Sequence, residues 1–298
     1  MNLQWEYQGE VPMKLKTFLK EQQLSRRLLS TIRNDVEGTI LVNGQSSRKI
    51  DKLFAGDQVH VILPPEQIST NIVPSFVPIQ VVYEDRDFLV VNKPGHLASI
   101  PSAVHPDDSL VSRVWGYYLL RGYEQQGIVP HIVTRLDRDT SGLVLFAKHR
   151  LAHAAVAQQL TAHTLLKHYY AIIAGDDLET DFVVAQPIGP DPDNVYKRQV
   201  RSDGKLAYSH FTRLKVSNGN SLYEVDLKTG RTHQIRVHAA FMGHPLIGDR
   251  LYGGPQGVGL ERQALHCHYL QFWQPFSHKQ VVVNTPLPSE LAQLLKLK

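Results

Sequence analysis

Along the first sixty residues the spacing of apolar positions changes from a helical period to an alternating one. Leu15, Phe18 and Leu19 fall on one helical face, with Lys14, Lys16 and Lys20 around the other. Ser25 is placed to cap a second helix over residues 26–33, in which Leu24, Leu28, Leu29 and Ile32 turn inward and Arg26, Ser30 and Arg33 line the opposite side. Residues 39–42 then read as a strand and Asn43-Gly44 as a tight turn. Gly56-Asp57 is a second turn, leading into an alternating strand over residues 58–63.

Pro64-Pro65, the polar run 66–71, Pro74 and Pro78 interrupt this pattern and predict a linker. Beyond it, residues 79–83 and 88–92 read as strands joined by a charged turn, ended by Lys93-Pro94-Gly95. Ser109 is placed to cap a helix running to about Arg121. Residues 143–147 form a continuous apolar run of strand length, residues 151–160 a helix, and residues 169–174 another buried strand closed by Gly175-Asp176. Strands outnumber helices and show no regular βαβ alternation. The expected class is α+β, with a mixed, mainly antiparallel sheet flanked by helices and loops, beside a small N-terminal α/β domain. The expected boundaries are 13–65, a linker over 66–78, and a large domain over 79–298.

The polar cluster with the densest chemistry lies between two apolar runs. Thr134-Arg-Leu-Asp-Arg-Asp-Thr-Ser-Gly142 carries two arginines and two carboxylates, with turn chemistry at its end and a glycine where the backbone needs positive φ or close approach. A carboxylate set between guanidinium groups on a loop held by buried strands is a candidate reactive group. For an isolated Arg-Leu-Asp, a structural ion-pair corner closing a sheet edge would be the favoured reading.

Composition bounds the rest. Hydrophobic residues at 42% and charged residues at 20% fit an ordinary globular chain of 298 residues, and no apolar run approaches the roughly 20 residues that span a bilayer. No signal pattern opens the chain, and Cys267 is its one cysteine, which excludes an internal disulfide and suits a reducing cytoplasm. The net charge of +4 is a modest bias toward polyanions. It is unevenly spread: residues 14–65 hold nine Lys/Arg against five Asp/Glu, so the expected nucleic-acid contact lies at the N-terminal end.

Two resemblances sharpen this. Leu24-Ser-Arg-Arg27, Thr39-Ile-Leu-Val-Asn-Gly44 and Ala55-Gly-Asp-Gln-Val59, in that order, resemble the S4-like RNA-binding domain. That resemblance implies RNA-phosphate contacts for Arg26, Arg27 and Arg33. Residues 79 to about 290 resemble the catalytic domain of the RluA/RluD group of RNA pseudouridine synthases. The resemblance rests on Asn92-Lys-Pro-Gly95, Arg135-Leu-Asp-Arg-Asp-Thr-Ser-Gly142, Lys167-x-Tyr169-x-Ala171, Thr229-Gly-Arg-Thr-His-Gln-Ile-Arg236 and Gly248-Asp-Arg-Leu-Tyr252. It implies an isomerase that detaches uracil from ribose, rotates it and rejoins it through carbon-5, with no cofactor. It also implies Asp137 as the catalytic aspartate, Arg236 as the arginine that pairs with and aims it, and Tyr169 as the tyrosine that packs on the base. Arg135 would fill the space left by a flipped uridine. One position departs from the family pattern: Thr134 stands where a histidine usually precedes Arg-Leu-Asp, which bears on loop geometry and substrate preference.

Other features carry less. Lys197 and Arg198 form a basic segment suited to RNA phosphates or to solvent. His149 and His153 have helical metal-pair spacing without an intervening acid, and strand alternation turns Cys267 away from His266 and His268, so no metal is expected. The expected partner is structured RNA, 23S-type ribosomal RNA foremost and transfer RNA second, with no membrane and no obligate protein partner, for a cytoplasmic monomer. Two rivals are a catalytically lapsed RNA-binding assembly factor, suggested by Thr134, and a glycosidase using Asp137 with Asp139.

Overall fold

In a computed structural model of the chain, residues 2–48, 50–101 and 108–295 are described, with the side chain of Arg27 outside that set. The N-terminal sheet contains four antiparallel strands in the order Asn2–Glu6, Gln58–Ile62, Thr39–Val42, Gln45–Ser46. Its helices are Leu15–Glu21 and Arg26–Asn34, the second capped by the Ser25 hydroxyl, which accepts from the Leu28 amide at 3.2 Å. The inward faces read from the sequence meet in one core, where Leu15, Leu19, Leu24 and Ile32 pack with Ile40, Val59 and Val61. The expected start at residue 13 is too late. Asn2–Glu6 pairs along its whole length with Gln58–Ile62 and buries Leu3 in the same core. A short strand at the extreme end of a chain lacks the repeated alternation that announces longer strands.

The segment predicted as a linker has no regular structure but is strapped to the large domain. The Glu66 carboxylate is bound by His131 Nε2 at 2.9 Å, the Arg150 amide at 2.7 Å and Arg150 Nε at 3.0 Å. The Ser75 amide donates to the Ser112 carbonyl at 2.9 Å, and Ile68 and Ile72 lie against the main core. Leu151 and Phe276 of the large domain pack into the N-terminal core, so the two domains share apolar contacts.

The large domain is built on a ten-stranded sheet. Its main path runs Asp181–Val184, Ser209–Ser217, Asn220–Leu227, Leu166–Ala174, Leu265–Gln274, Ser141–Ala147, Phe88–Lys93, Gln80–Glu84, with Lys279–Asn284 and His131–Ile132 pairing off it. All pairings are antiparallel but one: Ser141–Ala147 runs parallel to Leu265–Gln274. The α+β expectation therefore holds. Helices Leu110–Leu120 and Arg150–Thr161 cover one face, where Leu143 to Ala147 are fully buried with Val114, Tyr118 and Val156. Alternation along Leu166–Ala174 sends Ala171 and Ile173 into that core and Ile172 to the other face, against Leu222, Ile247 and Leu291. Ser109 caps its helix as expected, accepting from the Ser112 amide at 3.1 Å. His149 is also a cap, with Nδ1 accepting from the Ala152 amide and Nε2 3.0 Å from Asp87, which accounts for its place at a helix start.

The parallel crossing explains Gly142. Its φ is +118°, and an added Cβ would lie 2.2 Å from the carbonyl oxygen of Cys267. Only glycine allows the two strands to approach there. Gly142→Ala is expected to cost about 3 kcal/mol or more and to lower Tm by at least about 5 °C, read by thermal unfolding. A second expectation concerns Glu66. Burial alone would raise its carboxyl, but the hydrogen bond and charge of His131, with those of Arg150, outweigh it and hold the group at about 2. Because the folded value lies below the unfolded one, the stabilisation is complete above about pH 4.5 and lost as pH falls toward 2. Glu66→Gln should therefore lower the denaturant midpoint by about 1–3 kcal/mol equivalent at pH 7, with the gap from the parent closing across that acidic window.

Candidate active site

The loop from Thr134 to Thr140 leaves the short strand His131–Ile132 and enters Ser141–Ala147, and almost every residue in it is held from outside. The Thr134 hydroxyl accepts from the Leu145 amide at 3.0 Å, and the Val133 amide donates to the Leu145 carbonyl at 2.9 Å. Thr134 is 3% exposed, so the residue that departs from the family pattern serves as an anchor of this loop. The Ser99 hydroxyl donates to the Leu136 carbonyl at 2.6 Å and accepts from its amide at 3.1 Å. Arg262 donates to the Asp139 carbonyl at 3.1 Å, and Gln263 to the Thr140 hydroxyl at 3.0 Å.

Lys93, fully buried, completes the clamp. Its ammonium donates to the carbonyls of Pro94, Leu97 and Arg138 at 2.9, 2.7 and 2.9 Å. Burial, with Arg262 nearby, pushes the amine down to about 7, while Asp137 and Asp139 pull the other way. Three carbonyl acceptors match the three donors of the charged form.

Asp137 emerges from this loop with its carboxylate 26% exposed. Arg236, on the helix Gln234–Phe241, donates to it from Nη1 at 3.2 Å. The same guanidinium makes a two-pronged contact with Asp249, Nε at 2.7 Å and Nη2 at 2.9 Å, and its central carbon lies 5.0 Å from the centre of the Tyr252 ring. Burial would lower the Arg236 value, but Asp249 and Asp137 outweigh it and raise it further. The guanidinium is thus a fixed cation whose third donor edge is committed to Asp137.

Tyr169 lines the same small cavity of about 80 Å³ as Asp137 and Arg236. Burial holds its phenol well above the ordinary value, and Cys267 and Asp137 add to that. This cavity shares Arg135, Asp137, Gly230 and Arg231 with an adjoining groove of about 820 Å³. Arg135 is exposed at the rim, and among the described residues it has no hydrogen-bond or ion-pair partner.

Asp139 faces elsewhere. Arg138 grips it through Nε and Nη2, both at 2.9 Å, and His96 Nδ1 lies 3.2 Å away. It lines neither space, so the two loop carboxylates do not oppose each other across one site.

The basic hairpin of Ile188–Pro190 and Arg198–Val200 comes to the edge of the site. The Arg198 amide donates to the Tyr252 hydroxyl at 2.9 Å, and Lys197 Nζ lies 6.0 Å from that ring. Arg26 and Arg33 are exposed on the N-terminal domain and line neither space; Arg33 donates to the Ser47 carbonyl at 3.3 Å. Asp249, Tyr252 and His233 are the residues given no role from sequence. They lay within the quoted motifs, and the available signal was that a guanidinium due to be buried needs more than one acceptor.

Residues 87–241 match the family model described as RNA pseudouridylate synthase. The chain belongs to the RNA pseudouridine synthase family. It is an isomerase of that family, 38% identical over 285 residues, 95% of this chain and 99% of the relative, to the "Uncharacterized RNA pseudouridine synthase YjbO" of Bacillus subtilis strain 168. It is also 35% identical over 273 residues, 87% of this chain and 80% of the relative, to "Ribosomal large subunit pseudouridine synthase D" of Xylella fastidiosa. A solved structure titled "Human RNA Pseudouridylate Synthase Domain Containing 1" superposes with a TM-score of 0.56 at 26% identity, over 71% of this chain and 84% of that one. Among the described residues no helix is long and apolar enough to cross a membrane.

Lys93→Met keeps the bulk but removes all three donors, leaving the carbonyls of Pro94, Leu97 and Arg138 without this partner. A stability loss of about 2–5 kcal/mol in chemical denaturation is expected, together with loss of activity.

Proposed function

We propose that Asp137 is the catalytic carboxylate of a synthase that isomerises one or a few uridines in large-subunit ribosomal RNA. The observation that carries this reading is the meeting of Asp137, Arg236 and Tyr169 at one cavity, although Arg236 lies 99 residues from Asp137 in the chain. The relatives named as large-subunit synthase D supply the choice of RNA. A uridine flips from its stack into the cavity, an extrusion costing a few kcal/mol. The bond from ribose C1′ to uracil N1 breaks, the base turns, and a bond from C1′ to C5 forms. The C5 proton is lost and N1 regains one, so the atoms balance without a co-reactant. Asp137 serves by attacking sugar or base, or by stabilising positive charge that develops on the sugar.

Arg236 aims this carboxylate, and its own position is fixed by Asp249. Tyr169, whose phenol burial keeps protonated, acts by packing against the base. Arg135, at the rim and without a hydrogen-bond or ion-pair partner among the described residues, suits occupation of the vacated stack. Lys197 and Arg198 beside the cavity, and Arg26, Arg27 and Arg33 on an S4-like N-terminal module, contact RNA phosphates. The enzyme works as a cytoplasmic monomer. Thr134, as a loop anchor, supports an intact site, and the ties on Asp139 speak against a two-carboxylate glycosidase.

The test is release of tritium from carbon-5 of uracil in labelled ribosomal RNA. Asp137→Asn should slow release at least about 10³-fold with unaltered folding; undiminished release removes Asp137 from the chemistry. Carbodiimide mapping with and without the gene should show a pseudouridine lost from large-subunit RNA, and loss only from transfer RNA would reassign the substrate.

A further inference from the structure

We propose that His233 is a positioning residue for Asp137, and that the Tyr252–His233 pair leaves Oδ1 of that carboxylate as the reacting oxygen. The inference rests on the reading of Asp137 as the catalytic group and adds which oxygen it uses and what holds the other.

His233 stands immediately before the helix Gln234–Phe241 with φ at +58°, in the left-handed region. Residues other than glycine hold that conformation only where their surroundings enforce it. Here the His233 carbonyl accepts from the Val237 amide at 2.8 Å, and the imidazole Nδ1 lies 2.9 Å from the Tyr252 hydroxyl. The two rings meet edge-on, 5.7 Å apart at 85°.

Donor accounting fixes the tautomer. The Tyr252 oxygen already accepts from the Arg198 amide at 2.9 Å. Its own proton has one acceptor among the described contacts, Nδ1 of His233. With Tyr252 donating to Nδ1, a neutral imidazole carries its proton on Nε2. Nε2 lies 3.8 Å from Asp137 Oδ2, the same oxygen that accepts from Arg236 Nη1 at 3.2 Å. Oδ1 accepts no hydrogen bond among the described residues. Two donors thus converge on Oδ2, one already bonded and one about 1 Å beyond bonding distance. Closure of that gap on substrate binding locks Oδ2 and leaves Oδ1 to the uridine. Because the chain of donors starts at the amide of Arg198, contact of RNA with the basic hairpin is transmitted to the carboxylate through Tyr252 and His233.

The groups facing His233 are Asp137 on its loop, Asp249 and Tyr252 on the turn beside it, Arg198 on the hairpin and Arg236 on its own helix. Lys197 stands over Tyr252, and Arg231, tied to the Leu206 carbonyl, shares the cavity. Burial lowers the imidazole below its ordinary value, Arg236 and Arg198 act in the same direction, and Asp137 and Asp249 oppose. It is therefore neutral at pH 7.

The experiment compares the parent with His233→Gln, His233→Ala, Tyr252→Phe and Asp137→Asn, using initial rates of tritium release with RNA in excess at pH 7. His233→Gln should keep a donor toward Asp137 and lose no more than about 10-fold in kcat. His233→Ala should fall about 10–100-fold in kcat with KM nearly unchanged. Tyr252→Phe should resemble His233→Ala more than the parent. His233→Gln with a loss beyond about 100-fold, or effects confined to KM, would overturn the inference, and should the alanine variant fail to fold, the glutamine and phenylalanine variants decide. An inert Asp137→Asn beside a parent-like His233 series removes this inference alone; an active Asp137→Asn removes the functional reading beneath it.

Discussion

The buried guanidinium of Arg236 is the constraint on which the site depends. A cation at this depth is tolerable only if its donors are met, and leaving one partner out would cost several kcal/mol. Asp249 meets two of its donors and Asp137 a third, with the Tyr252 ring beneath. The division is unequal. Asp249 is 1% exposed and takes the two-pronged contact, so it neutralises and orients the cation. Asp137 takes a single hydrogen bond from the cation, and its Oδ1 accepts none among the described residues.

That arrangement is useful only if the Asp137 backbone is equally well held. The loop has little hydrogen bonding of its own, since its one internal backbone bond runs from the Thr140 amide to the Asp137 carbonyl at 3.1 Å. It is instead pinned by side chains from three other segments: Lys93 and Ser99, Arg262 and Gln263, and the returning backbone at Leu145. Each supplies a donor or acceptor to a group that would otherwise be buried unpaired. The Asp137 backbone is thus held by several elements at once.

The same economy extends to the junction between domains. Glu66 is almost fully enclosed, and it ties the connecting segment to His131 and to the start of the helix Arg150–Thr161, whose Leu151 enters the N-terminal core. The N-terminal module is therefore set against the large domain by contacts on both sides of the connection. A segment that composition marks as a linker is here a strap, because one carboxylate within it is bound by His131 and Arg150.

How much of this was written in the chain depends on the range of the forces involved. The Ser25 and Ser109 caps, the Asn43-Gly44 turn, the helical face of Leu28, Leu29 and Ile32, and the apolar run after Gly142 are set by neighbours within a few residues, and they were legible. Asn218-Gly219 carries the same turn signal for the hairpin of Ser209–Ser217 and Asn220–Leu227 but is missing from the expectations. The trio Asp137, Tyr169 and Arg236 was reached through motif resemblance, since no local pattern ties residues 99 positions apart. Which of 28 acids would satisfy the second edge of Arg236, which strand would cross Gly142 in parallel, and which way Asp139 would turn were decided only on folding. Those choices come from closing long loops around a shared core, where a partner is selected by the position left for it and not by anything in its own neighbourhood.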